Sequence, residues 1–227
     1  MWPLLLIFYS YLHSELFSAV GISLPRPIIR GKISIEETIS NRRTYRSFAR
    51  TQIALSDISQ LLWSGQGITG RRGNLKLRSS PSAGALYPLN LYLIVRKGSV
   101  KNVEGGTYLY QPITHSLKLI AKNILNKSHG IPSSVLQPWM NKSGIKIMIT
   151  GQYSRSTKKY GKKGRDYTLM EVGHVSQNIL LQAQGLLLKA GMAGAFDRPY
   201  LQKYWSISKK HLPLMLIAIG KKRYKGM

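Results

Sequence analysis

Apolar residues recur along this chain with two periods, near 3.6 in some stretches and as short continuous runs in others. Ser34-Ile35-Glu36-Glu37 is a capping box, serine with glutamate three residues on, and predicts a helix through about Asn41. A second helix is predicted from near Ser56, with Ile58, Leu61 and Leu62 on one face and Trp63 following. Gly65, Gly67, Gly70 and Gly73 then interrupt the pattern, and Arg71 to Arg78 reads as a mobile basic loop. Leu91–Val95 and Ile145–Thr150 read as buried strands, and Thr107–Tyr110 with Ser116–Ile120 as a hairpin turning at Pro112. The longest helical pattern runs from Tyr167 to Lys189 and is expected to end at Gly191–Gly194. A short helix near Pro199–Tyr204 and a last strand, Leu214–Ile219, close the pattern. Helices and strands mix without strict alternation, which predicts an α+β fold: a mixed central sheet flanked by helices.

Composition narrows this picture. The 227 residues fit one domain with a short extension: residues 1–30 as an apolar extension and linker, residues 31–227 as the domain. Cysteine is absent, which removes disulfides, thiolate metal sites and a cysteine nucleophile, and the five histidines show no paired ligand spacing. The formal charge of +26 attracts polyanions, yet the basic residues are scattered from Arg26 to Lys225 with no RNA-recognition signature. Trp2 to Leu12 is apolar but too short to span a bilayer, and as a signal peptide it lacks a basic start. The expected location is cytoplasmic, with export or membrane association through residues 1–20 left open. Leu24-Pro25-Arg26-Pro27 reads as an extended connector.

Two stretches carry chemistry. Pro81-Ser82-Ala83-Gly84-Ala85-Leu86-Tyr87-Pro88 is nearly free of side chains, so its backbone can lie against a large flat group and offer N–H donors where negative charge develops. Arg42, Arg43 and Arg46, with Thr44, gather guanidinium and hydroxyl donors suited to a phosphate dianion if the helical turn persists to Arg46. A cationic helix end meeting its own dipole has the same appearance. A flat ring and a phosphate on one ligand point to flavin mononucleotide, FMN, and to redox chemistry. Glu171, His174, Gln177 and Asn178 share a helical face by spacing and read as a satisfied buried network or an interface, with no catalytic role for His174. Lys158 to Arg165 reads by itself as a solvated basic loop.

In chain order, Arg42–Phe48, Leu61–Thr69, Pro81–Pro88, Lys159-Tyr160-Gly161, Glu171–Asn178 and Gly194-Ala195-Phe196-Asp197 resemble the nitroreductase superfamily of FMN flavoproteins, and within it the SagB/thiazole-oxidase (McbC-like) dehydrogenases. The resemblance implies an intimate α+β homodimer with FMN at the subunit interface. It implies that Arg42, Arg43, Thr44, Arg46 and Lys221 hold the phosphate end. Pro81, Ser82, Ala83 and Gly84 would contact the ring from the partner subunit, and Gly194 and Ala195 would approach it from the other side. Lys159 and Tyr160 match the Lys-Tyr pair of azoline oxidases. There a base takes a proton from the azoline while hydride passes to flavin N5, leaving a thiazole or oxazole. Lys159 would be that base if Lys158, Lys162, Lys163 and Arg165 lower its pKa, and Tyr160 would position substrate or shuttle a proton. Lys189 stands where the group usually carries glycine, so a different turn is expected there.

Two other functions fit the same residues. One is an NAD(P)H-dependent reductase of nitro or quinone-like compounds. The other is a basic protein of nucleic-acid or membrane surfaces that keeps the fold without turnover; specific nucleic-acid recognition is not expected, and the partners expected are a second copy and a small-molecule or peptide substrate.

Overall fold

Strands form where β-branched and leucine side chains predominate, and this chain has three such runs that pair edge to edge. In the computed structural model, which describes residues 21–122 and 131–223, these are β5 (Leu89–Val95), β8 (Ile145–Gly151) and β10 (Leu212–Lys222). Around them lie β1 (Ile22–Ser23), β2 (Phe48–Ala49), β6 (Gly106–Gln111), β7 (Ser116–Lys122) and β9 (Lys189–Ala193). The eight strands form one sheet, ordered β1-β7-β6-β5-β8-β10-β2, with β9 also on β10. Every pairing in it is antiparallel.

The central strands are buried on both faces, which is why they read as continuous apolar runs. Leu91, Leu93, Ile145, Ile147, Ile149, Ile217 and Ile219 point to one face, under α2 (Leu55–Gln66) and α5 (Lys163–Gly185). Tyr92, Ile94, Met148, Leu216 and Ala218 point to the other, under Met140 of α3 (Pro138–Asn141) and Leu201 of α6 (Arg198–Tyr204). Each such fully buried aliphatic side chain contributes about 1.5–3 kcal/mol. The N-terminal connector is tied on by Leu24 N–H donating to His115 O and by the Ser59 hydroxyl donating to Pro25 O. Residues 1–20, including the apolar stretch, lie outside the described residues.

The capping box forms: the Ser34 hydroxyl accepts from Glu37 N–H and the Glu37 carboxylate from Ser34 N–H, opening α1 (Ile35–Asn41). Four expectations are corrected. The basic loop at Arg71–Arg78 is a hairpin, β3 (Ile68–Arg72) with β4 (Leu75–Arg78), turning at Gly73 (φ 56). The long helix spans 163–185, not 167–189; Leu187 adopts a left-handed φ of 58, and Lys189–Ala193 leaves to pair with β10. Sheet pairing there overrides helix propensity. The basic loop at Lys158–Arg165 is the end of α4 (Ser154–Tyr160) and the start of α5, joined through Gly161 (φ 55). Finally, the turn does not persist to Arg46, because Arg42 is already extended (ψ 125).

Candidate active site

Sheet register sets the geography of the site. Leu89, Gly151 and Leu212 stand side by side at one end of the sheet. The Pro81–Pro88 loop enters β5 at that end, and α4 leaves β8 there, with Gln152 N–H donating to Pro88 O. Two motifs far apart in sequence therefore meet. A Cβ added at Gly84 would stand 2.6 Å from the Tyr160 hydroxyl and 3.1 Å from the Lys159 amine. Gly84 lies at φ 62, with Ala85 (φ 53) and Tyr87 (φ 47) also left-handed. Such backbone persists where its surroundings hold it.

A buried polar network holds it here. The Ser82 hydroxyl donates to the Glu171 carboxylate and accepts from Tyr87 N–H at 2.9 Å. Gln66 Nε2 donates to Glu171 Oε1, and Arg78 Nη1 donates to Gln66 Oε1. The Arg78 guanidinium covers the Tyr87 ring at 4.5 Å, Arg78 N–H donates to the Tyr87 hydroxyl, and Arg155 Nη1 donates to Tyr87 O. Glu171 is 2% exposed, and burial pushes its pKa up against the opposing pull of Ser82, Gln66 and Arg78. Burial, then Arg155, lowers the Arg78 pKa. Nothing in the residue pattern marked Gln66, Arg78 or Arg155 as members. The one available signal was Gln66 itself, a polar residue at the buried end of α2.

Lys159 is exposed, its amine 5.4 Å from the centroid of the Tyr160 ring, and Tyr160 packs edge-on against Tyr167 at 5.1 Å. The shared face of Glu171, His174, Gln177 and Asn178 is divided. Glu171 turns inward, and Asn178 donates to Ser64 O, Ser79 O and the Ser80 hydroxyl. His174 and Gln177 are exposed in one stripe with Leu169, Met170 and Gly173.

The arginines belong to the other end of the sheet. Tyr45 N–H donates to Ala190 O, and Lys221 pairs with Ala49 across β2 and β10. Along β10, Leu214 and Lys221 are roughly 23 Å apart at strand spacing. Arg43 Nη1 is occupied by Ser40 O and Arg42 O, both 2.8 Å, so it caps its own helix. Arg46 stands 5.9 Å over Trp139, Thr44 is exposed, and Lys189 covers the Tyr45 ring at 4.7 Å. Gly194 and Ala195 are exposed just past β9, with Leu214 O 4.0 Å from a Cβ at Gly194. One protomer thus brings Pro81–Gly84 together with Lys159 and Tyr160, and holds Arg42, Arg43, Thr44, Arg46 and Lys221 apart from them.

Residues 39–221 match the model of the nitroreductase family. The chain belongs to the nitroreductase family. It is an oxidoreductase of that superfamily, whose members generally bind FMN. A nitroreductase-like protein of Methanocaldococcus jannaschii is 34% identical over 191 residues, 84% of this chain and 92% of that one. The microcin B17-processing protein McbC of Escherichia coli is 24% identical over 142 residues, 62% of this chain and 52% of that one. Among solved structures, a nitroreductase-like protein from Ralstonia eutropha superposes with a TM-score of 0.76 at 22% identity, covering 91% of each chain. A chain of the E. coli microcin synthetase McbBCD complex with truncated pro-MccB17 bound superposes at 0.67 and 24% identity, covering 94% of this chain and 82% of that one. No described helix of this nitroreductase-family chain is long and apolar enough to cross a membrane.

Proposed function

We propose that this protein is a cytoplasmic, homodimeric, FMN-dependent dehydrogenase of the SagB/thiazole-oxidase type that oxidises azoline rings of a modified peptide to azoles. The observation that carries the reading is the meeting of Gly84 with Lys159 and Tyr160. A loop of small residues, whose backbone can lie against a flat ring, stands beside an amine and a phenol able to handle a proton.

The residues fit FMN. Glycine at position 84 lets the Tyr160 hydroxyl and the Lys159 amine come close to the loop backbone, where a Cβ would collide with them. Arg42, Thr44, Arg46 and Lys221 supply donors for a phosphate at the far end, with Arg43 behind them on the helix carbonyls. When bound, FMN supplies the two-electron acceptor for the substrate hydride. Lys159 takes the proton released as the ring aromatises, and Tyr160 orients the heterocycle or passes that proton on. Glu171 holds Ser82, and through it the N–H groups of the loop, in fixed positions. Residues 31–227 act as the domain. Because the arginines and the loop lie at opposite ends of one protomer, a site that uses both draws the loop from a second copy. The exposed Leu169 and Met170 on α5 support that pairing.

Incubating the protein with an azoline-containing peptide and following azole absorbance tests the reading. Turnover is expected in the natural chain, with a loss of about 10²–10⁴-fold in Lys159→Ala. Full activity in that variant removes Lys159 as the base. The 34% identity to the M. jannaschii protein favours a second reading, an NAD(P)H-dependent nitro or quinone reductase. Rapid anaerobic bleaching by NADPH without azoline turnover selects it.

A further inference from the structure

The hairpin of β3 and β4 forms a sheet of its own, separate from the eight-stranded one. A Cβ at Gly70 or Gly73 would meet nothing within 4 Å, so the ribbon stands clear of the body there. Arg71 pairs directly with Lys76, and Arg72 with Leu75. Strand alternation puts Arg71, Lys76 and Arg78 on one face of the ribbon and Arg72, Leu75 and Leu77 on the other. Like charges directly opposite each other destabilise a strand pair. Neither Arg71 nor Lys76 makes an ion pair among the described residues, where the one pair is Lys122 with Glu104. The sequence has no Asp or Glu between Asp57 and Glu104.

The ribbon is rooted in the candidate site. Arg78, at the end of β4, donates to Gln66, covers the Tyr87 ring, and gives its N–H to the Tyr87 hydroxyl. Beyond that root, no backbone group from Thr69 to Leu77 hydrogen-bonds outside the ribbon among the described residues. A two-stranded ribbon alone is marginally stable in water, and its bare edges are templates for a further strand. Leu75 is 52% exposed on the face away from Arg71 and Lys76. A strand added along β4 would set its side chains alternately beside the cations and beside Leu75 and Leu77.

We infer that the outer edge of β4 docks an extended peptide segment of alternating acidic and apolar residues by strand addition. Its role as the entry for substrate rests on the azoline-oxidase reading above. In strand addition the backbone groups give affinity and alternate side chains give the choice of partner. Carboxylates of the segment supply the counter-charge missing between Arg71 and Lys76. From β4 the chain continues through Ser79 and Ser80 to Pro81, so a bound segment lies in line with the small-residue loop. The ribbon of a second copy would bring the same cations and repel. RNA would satisfy the charge, but Thr69–Leu77 carries no aromatic side chain on which a base could stack.

The test is fluorescence anisotropy of a labelled peptide of alternating Glu and Val, titrated with the protein loaded with FMN, or as purified if it takes up none, at constant ionic strength. Saturable binding is expected, about tenfold weaker in Arg71→Gln and in Lys76→Gln and unchanged in Lys118→Gln, an exposed β7 control. A peptide of the same charge with Pro in place of Val cannot join a ladder and is expected to bind about tenfold more weakly as well. Equal binding of the proline peptide, or an equal loss in Lys118→Gln, would assign the effect to the general field of +26 and overturn the docking surface. Absence of peptide binding would overturn it too, as would tighter binding of a single-stranded RNA of equal charge that is lost in the same two variants. The expected peptide pattern in a protein without azoline turnover would uphold the docking surface and overturn only the reaction proposed above.

Discussion

At position 84 the backbone holds φ 62, and any Cβ would stand 2.6 Å from the Tyr160 hydroxyl. Gly84→Ala is therefore expected to cost about 1–3 kcal/mol of stability and to abolish turnover, read from urea unfolding and azoline oxidation together. An unchanged urea midpoint would mean that the loop relaxes freely. Lys146 is the opposite case, a residue that the fold tolerates at a cost. Its folded-state pKa, about 7, lies below the ordinary 10.5, so between those values the unfolded chain binds more protons and stability rises with pH. Below pH 7 the burial cost is fully present. Lys146→Met should raise the melting temperature at pH 6 and flatten the rise toward pH 9. Glu171 runs the other way, since its pKa is raised from 4.5. The stability linked to its protonation is present below 4.5 and is lost as pH climbs through the folded value. Glu171→Gln removes that decline in a thermal-melting series, and a pH profile identical to the natural chain would contradict the assigned burial effect.

At the scale of elements, two glycines set the distances on which the site depends. A Cβ at Gly164 would stand 2.6 Å from Ser156 C, so this glycine lets α5 pack against α4, which carries Lys159 and Tyr160. A Cβ at Gly191 would meet Tyr45 O and the Trp139 ring, so that glycine seats β9 against the Arg42–Arg46 segment. Gly164→Ala is expected to lower turnover while FMN is retained; Gly191→Ala is expected to weaken FMN retention first. The same losses in both would dissolve the division of the site into two ends. Local chemistry made several elements legible from sequence. The Ser34–Glu37 box, the apolar runs of β5, β8 and β10 and the hairpin at Pro112 each specify themselves over a few residues. Elements decided by distant partners were not legible. The helical pattern reaches Lys189, but Lys189–Ala193 is strand because β10 offers an edge, and Arg71–Arg78 pairs within the hairpin that turns at Gly73. The proximity of Gly84 to Lys159 and Tyr160 follows from the register of β5 with β8, which no local pattern encodes. The Gln66–Glu171–Ser82 network is likewise a product of α2 meeting α5.

For the molecule as a whole, family membership settles the fold and the class of chemistry, and the arrangement of charge says where its partners would sit. Pro81–Gly84 with Lys159 and Tyr160 occupies one end of the sheet, and the arginines occupy the other. That separation is the reason to expect two copies per functional unit, and analytical ultracentrifugation should find a dimer whose stability falls when Met170 on α5 is replaced by Glu. The central claim is that the protein works with FMN at these residues. The most direct measurement is the absorption spectrum of the purified protein after FMN is added and unbound flavin is removed by gel filtration. We predict a yellow protein carrying one FMN per chain. A colourless protein that retains no FMN would contradict the account.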